Sequence, residues 1–383
     1  MKKAIKLGVS MILGAFLGFM VVWVGIFLFT DASFSTLGDK FVSMDFGKLT
    51  GILLMAFIFM FLAFFLQVII HEGGHLVCGL ATGYRFVSFR ILNFTLIRQG
   101  GKFRMKRFGI AGTGGQCLLT PPDNPLQDIP CVLYNLGGVL ANLLTATIAI
   151  LLLLTANDMP HPLRLFLLLF CLIGIFLGLI SGIPMRMGGI GNDADNMRLL
   201  LKDERSKQAL VTQLRVNALV QEGMRAKDMP EEWFRQERAI NYKDALQTSV
   251  HLMSISRLAD LGEWDRAYSA LEETMKHKDE IIGLFVKEIT CELLYIALIS
   301  GKSEQVEELY TDEIDLYIEQ YKKVMTSKQR LLCALALYRE KDAVKAKEIY
   351  ETLCRQKDKY LMQGEVIMDI DFMKFMLNTE NVL

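Results

Sequence analysis

LTGILLMAFIFMFLAFFLQVIIHEGGHLVCGLATGY, the run from Leu49 to Tyr84, decides how this chain is read. It is long enough to cross a bilayer as a helix, which takes about 20 apolar residues. Its only Asp, Glu, Lys, Arg or His side chains are His71, Glu72 and His75. On a helix, positions i and i+4 share a face, so both imidazoles can turn a nitrogen towards one zinc ion. Glu72 follows the first histidine and can serve as base towards water at that ion, which is what H-E-x-x-H means mechanically. A carboxylate held in lipid costs several kcal/mol, and that makes it a functional signal.

The surrounding chain supports a membrane protein. Of its 383 residues 52% are hydrophobic, and its formal net charge is zero, which argues against a general attraction to nucleic acid. Four apolar runs reach spanning length: about Leu7 to Thr30, Leu49 to Thr82, Cys131 to Thr155 and Leu163 to Pro184. Lys2, Lys3 and Lys6 precede the first run, and seven basic residues from Arg85 to Arg107 follow the second. Basic residues stay on the cytoplasmic side, so both termini and the loop after the second span are expected there, with Asp31 to Lys48 and Asn157 to His161 outside. A cleaved secretory signal is the competing reading of the N-terminus, but the apolar run exceeds the roughly 7–15 residues of such a signal. The seven cysteines form no C-x-x-C pair and read as reduced thiols. Cys78, on the helix face of His71, is either a soft metal ligand or a packed core thiol.

Between the second and third spans the pattern alternates. Arg85 to Ile91 and Phe94 to Arg98 read as strands, Gln99-Gly100-Gly101-Lys102 as a tight turn, and Phe103 to Ile110 as the returning strand. The resulting antiparallel sheet either shields the metal helix from water or offers a strand edge to an extended peptide. From about Leu199 the periodicity becomes that of amphipathic helices. Three similar turns recur at Leu261 to Tyr268, Ser300 to Val306 and Glu340 to Ala346, with 39 residues from Ala267 to Val306 and 40 from Val306 to Ala346. Near-constant spacing implies stacked helix pairs. They look like tetratricopeptide repeats, although the period exceeds the roughly 34 residues of that class. Such a domain would dock a peptide or partner protein, or act as a helical cap with no ligand.

Two histidines do not complete a catalytic zinc site, which takes three protein ligands and leaves a place for water. His161, His251 and His277 are poorly placed, whereas Gly182 to Met197 holds Pro184, several glycines, Asp193 and Asp195. A broken helix there can carry a carboxylate back to the metal. Capping of the next helix, expected to begin near Asn196, is the other use for these aspartates, and the two roles can be divided between them.

At this point the chain resembles the site-2 protease family of intramembrane zinc metalloproteases, over Leu49 to about Leu200. His71-Glu72-Gly73-Gly74-His75 fits the family's metal motif. Gly138-Val139-Leu140-Ala141-Asn142 is similar to its Gly-Pro-x-x-Asn segment, with Val139 in place of the proline. Asn192-Asp193-Ala194 resembles the region supplying the third ligand, with Ala194 in place of glycine, and Gly114 to Leu118 is like a stretch of some bacterial members. The resemblance implies that His71, His75 and Asp193 bind zinc, that Glu72 is the catalytic base and that Asn142 lies beside the active site. It also implies a bacterial cell membrane.

The expected protein is therefore mainly α: a polytopic bundle of four spans with a small β-sheet insertion, followed by a soluble helical-repeat domain. Residues 1–48 form an anchor and outer loop, 49–200 the metalloprotease core with its insertion at 84–119, and 201–383 the cytoplasmic repeats. The expected activity is zinc-dependent cleavage of a transmembrane or signal-like peptide near the cytoplasmic face. An inactive membrane-anchored adaptor is the alternative, and the intact Glu72 argues against it. Zinc transport would need ionisable residues strung through several spans, and here they sit in one cluster.

Overall fold

The computed structural model describes residues 45–380 and 382, apart from 110–113, 157, 188 and 236–238. The expected first span and the N-terminal orientation lie outside these residues. The described chain is mainly helical with a small antiparallel sheet. It forms two compact units, one of the described residues up to His75 with Leu136–Ile183, the other of Leu76–Asn135 with Pro184–Leu383.

Among the described residues three helices are long and apolar enough to cross a membrane: α1 (Phe46–Ala81), α2 (Cys131–Thr155) with the 3-10 turn leading into it, and α3 (His161–Gly182). Each starts where local chemistry sets it. Asp45 accepts a hydrogen bond from the Lys48 amide at 3.2 Å and starts α1 three residues before the apolar run. Pro130 precedes α2, and Pro160 and Pro162 flank the first residue of α3. Pro184 follows the end of α3, as the bias of a residue before proline against helix requires. Leu54, Phe57 and Phe61 on α1, Leu144 and Leu151 on α2 and Leu172 on α3 are all exposed, an outward apolar surface suited to lipid.

Four strands, β1 (Arg85–Ile91), β2 (Phe94–Gln99), β3 (Lys102–Arg107) and β4 (Gly115–Thr120), form one antiparallel sheet in the order β3-β2-β1-β4. Gly100 and Gly101 both adopt positive φ, 57° and 76°, giving the two-residue hairpin turn that closes Gln99 against Lys102. The returning strand β3 stops at Arg107, short of the expected Ile110. β4, which follows the three strands named from the sequence, pairs with β1 from Arg85↔Thr120 to Ile91↔Gly115. Leu118, Leu119, Tyr84 and Tyr134 form one core with Leu210, Leu214 and Ala218 of α5 (Glu204–Glu222), the helix that follows α4 (Asp193–Lys202).

The remainder is helical: α6 (Ala245–Asp260), α7 (Trp264–Met275), α8 (Gly283–Ile299), α9 (Ser303–Leu309), α10 (Asp312–Tyr321), α11 (Thr326–Ala334), α12 (Ala343–Gln356) and α13 (Gln363–Thr379). Three helix-to-helix turns share a geometry. Gly262, Gly301 and Lys341 each take a left-handed φ (81°, 68° and 58°), and Ala267, Val306 and Ala346 are buried a few residues on. In the first two the next amide bonds back five residues, Glu263 to Leu258 and Lys302 to Ala297, as in a Schellman cap. In the third, Asp342 bonds back six residues to Ala336, because Leu335–Arg339 is a π-helical turn. A π turn carries one surplus residue, which matches the longer reach of the Asp342 bond.

Candidate metal centre

His71 and His75 lie on α1 one turn apart, with ring centroids 4.9 Å apart and planes at 79°. Their Nε2 atoms face each other at 3.2 Å. The partner of the other His71 nitrogen fixes the tautomer. Asn142 on α2 is fully buried and its Nδ2 donates to the Gln67 side-chain oxygen at 2.6 Å and to the Gln67 carbonyl at 2.9 Å. With its amide nitrogen so committed, Asn142 presents Oδ1 to His71 Nδ1 at 2.6 Å. An oxygen there requires that Nδ1 carry the proton, so the ring's lone pair lies on Nε2, the nitrogen that faces His75 and the one a metal would use. Gln67 is anchored in turn, donating to the Phe170 carbonyl of α3 at 3.1 Å and lying 3.5 Å from the Thr145 hydroxyl.

The spacing of the two Nε2 atoms tests the fit to zinc. Two nitrogens at about 2.05 Å from one tetrahedral ion stand about 3.3 Å apart. The observed 3.2 Å meets that requirement. Space for an ion is kept by glycine: a Cβ on Gly138 would fall 2.6 Å from the ring nitrogens of both histidines. Close approach of the helices has the same origin, since a Cβ on Gly74 would lie 2.2 Å from the Gly137 carbonyl oxygen. Glu72 is half-buried on the same turn of α1.

Asp193 is half-buried at the first position of α4, in the second unit. The capping role foreseen for one of the two aspartates belongs instead to Asn192, whose Oδ1 accepts from the Asp195 amide at 3.0 Å and from the Met185 amide at 3.2 Å. The helix therefore begins at Asp193 and not near Asn196. Asn192 prevails because its side-chain oxygen reaches two amides at once, and Asp195, 5% exposed, is left to bind Arg186 at 2.6 Å. His251 bonds the Thr274 hydroxyl at 2.9 Å, His277 stacks on Tyr242, and none of the seven cysteines, Cys78 included, is in a disulfide.

Sequence reasoning passed over Gln67. Its signal was available, since an uncharged polar residue one turn before His71 in an apolar run needs a buried partner and shares the histidine's face. Compared with family models, curated proteins and solved structures, the chain matches none.

Proposed function

We propose that the protein is an integral membrane zinc endopeptidase that cleaves a transmembrane or signal-like peptide near the cytoplasmic face. The observation that carries this reading is the pair of facing Nε2 atoms of His71 and His75, 3.2 Å apart, with the other nitrogen of His71 held by Asn142 and Glu72 on the same turn. The ligand set of the proposal is His71, His75 and Asp193. It is supported by the 3.2 Å spacing of the two histidine nitrogens and by the half-buried position of Asp193 at the start of α4. A bound zinc would supply a Lewis acid that polarises the scissile carbonyl and acidifies water. Glu72 takes the proton from the attacking water and returns it to the leaving amine. Asn142 holds the His71 ring in its metal-binding tautomer. The β3 edge carries the unwound substrate by backbone pairing, four spans place both termini in the cytoplasm, and the helices after α4 act as a repeat domain that docks a peptide or partner.

Purified full chain with Glu72→Gln tests the proposal, because this change removes the base while keeping volume and ligands. Loss of cleavage of a membrane substrate with zinc retained is expected. Cleavage by the variant near the wild-type rate rejects Glu72 as the base, whereas no cleavage by the wild-type chain itself would favour the inactive adaptor.

A further inference from the structure

A cavity of about 390 Å³ opens among α6, α8, α11 and α13, within the roughly 300–1,000 Å³ range of ligand pockets. Its walls are apolar where Leu252, Met253, Phe285, Met325 and Met368 line it. Its charged lining consists of Glu288 and Glu292 from α8, Arg330 from α11, and Glu365 and Asp369 from α13. The residues that α6 contributes include no charge.

The charges there do not balance. Glu288 accepts from buried Lys328 at 2.9 Å and from the Tyr317 hydroxyl. Both oxygens of Glu292 accept from Arg330 at 2.6 Å. Asp369, wholly buried, takes the Thr326 hydroxyl at 2.5 Å, while its Oδ1 stands 3.1 Å from Arg330 but accepts no hydrogen bond. Lys328 and Arg330 are thus shared among three carboxylates. Glu365, an exposed residue on the cavity lining, has neither a hydrogen bond nor an ion pair among the described residues. The facing Asp369, Glu288 and Glu292 repel a charge on Glu365, and an incoming cation would relieve that repulsion.

Apolar walls above a negative floor match a side chain with an aliphatic stem and a cationic head. Methionine on those walls accommodates stems of differing shape. We propose that this cavity receives one lysine or arginine side chain of an extended peptide laid across these helices, with Glu365 as the receiving charge. The proposal deepens the docking role given to these helices and is independent of the metal centre.

The test pans a displayed random heptapeptide library against the full chain in detergent micelles, in wild-type and Glu365→Gln forms. Wild type should enrich lysine or arginine at one position. A recovered peptide, followed by fluorescence anisotropy, should bind at least about tenfold more weakly to Glu365→Gln, or when its basic residue becomes norleucine. Ser256→Phe, which narrows the cavity without touching a charge, should also abolish binding and serves if Glu365→Gln does not fold. Desolvation at the cavity wall and the facing Asp369, Glu288 and Glu292 push the Glu365 carboxyl up to about 8 against the pull of Arg330. Affinity should therefore rise roughly tenfold from pH 7 to 9 as this carboxyl loses its proton. No enrichment of a basic position, or equal binding by a folded Glu365→Gln or Ser256→Phe, overturns the proposal, while metal content and proteolysis remain a separate readout.

Discussion

Replacing Asn142 by alanine separates the metal reading from a purely structural one. Asn142 Oδ1 is the group that fixes the His71 Nδ1 proton, at 2.6 Å. Without it the ring can rotate or place the proton on Nε2, and removing such a partner typically lowers metal affinity 10–100-fold, ~1.4–2.7 kcal/mol. Stability should fall as well, since the Gln67 side-chain oxygen and carbonyl lose their bonds at 2.6 and 2.9 Å. Each buried acceptor left unpaired costs ~1–3 kcal/mol. Competition for zinc against a chromophoric chelator measures the first effect in purified protein, and thermal melting without metal measures the second. Asn142→Ala should lose zinc affinity within the stated range, and His71→Ala should lose it further. If Asn142→Ala is destabilised yet holds zinc within twofold of wild type, the bond to His71 is packing alone and the tautomer argument fails.

Gly138→Ala should reduce zinc occupancy, because the added methyl meets both imidazoles at 2.6 Å; metal analysis of the variant checks this. Asp193→Ala should lower zinc occupancy and end activity, whereas Asp195→Ala should keep zinc and lose ~1–3 kcal/mol of stability with its bond to Arg186. Zinc retained by the first variant and lost from the second would reverse that assignment. Burial lowers His251 to about 4 from an ordinary value of 6.5. The folded state resists protonation there, so stability present above about pH 6.5 should drain away as pH falls towards 4, by at most about 3 kcal/mol. Melting of His251→Gln across that window should show a flatter acid limb than wild type. For Glu365 the raised carboxyl gives the opposite sign, with stability lost as pH rises through about 8, so Glu365→Gln should melt higher than wild type at pH 9.

What the sequence made legible was set by strong local signals. An unbroken apolar run after Pro130 gave α2 from Cys131 to Thr155, and the glycine pair at 100–101 gave the β2–β3 turn. The i, i+4 histidines gave the centre of the site. β4 is not among the named strands because Gly112, Gly114 and Gly115 at and before its start weaken the local pattern, and its pairing with β1, some thirty residues earlier in the chain, is what defines it. The cap of α4 went to the wrong residue because Asn192 and Asp195 are both good local candidates, and only the position of the Met185 amide decides between them. The polar chain from Gln67 through Asn142 to His71 joins residues about 70 positions apart, and the charges around Glu365 come from three separate helices. Periodicity within one helix cannot register either.

The wide turn at Leu335–Arg339 uncouples length from phase. Removing one residue from an ordinary helix swings everything beyond it by about 100°, which would turn a buried position such as Ala346 away from its neighbours. Here the surplus residue is already stored as a local swelling. A deletion inside that turn would tighten it to the regular α pitch and leave α12 in phase with α11. The helix that tolerates no change of length elsewhere thus has one point at which a residue can enter or leave the lineage of this fold without disturbing what packs beyond it.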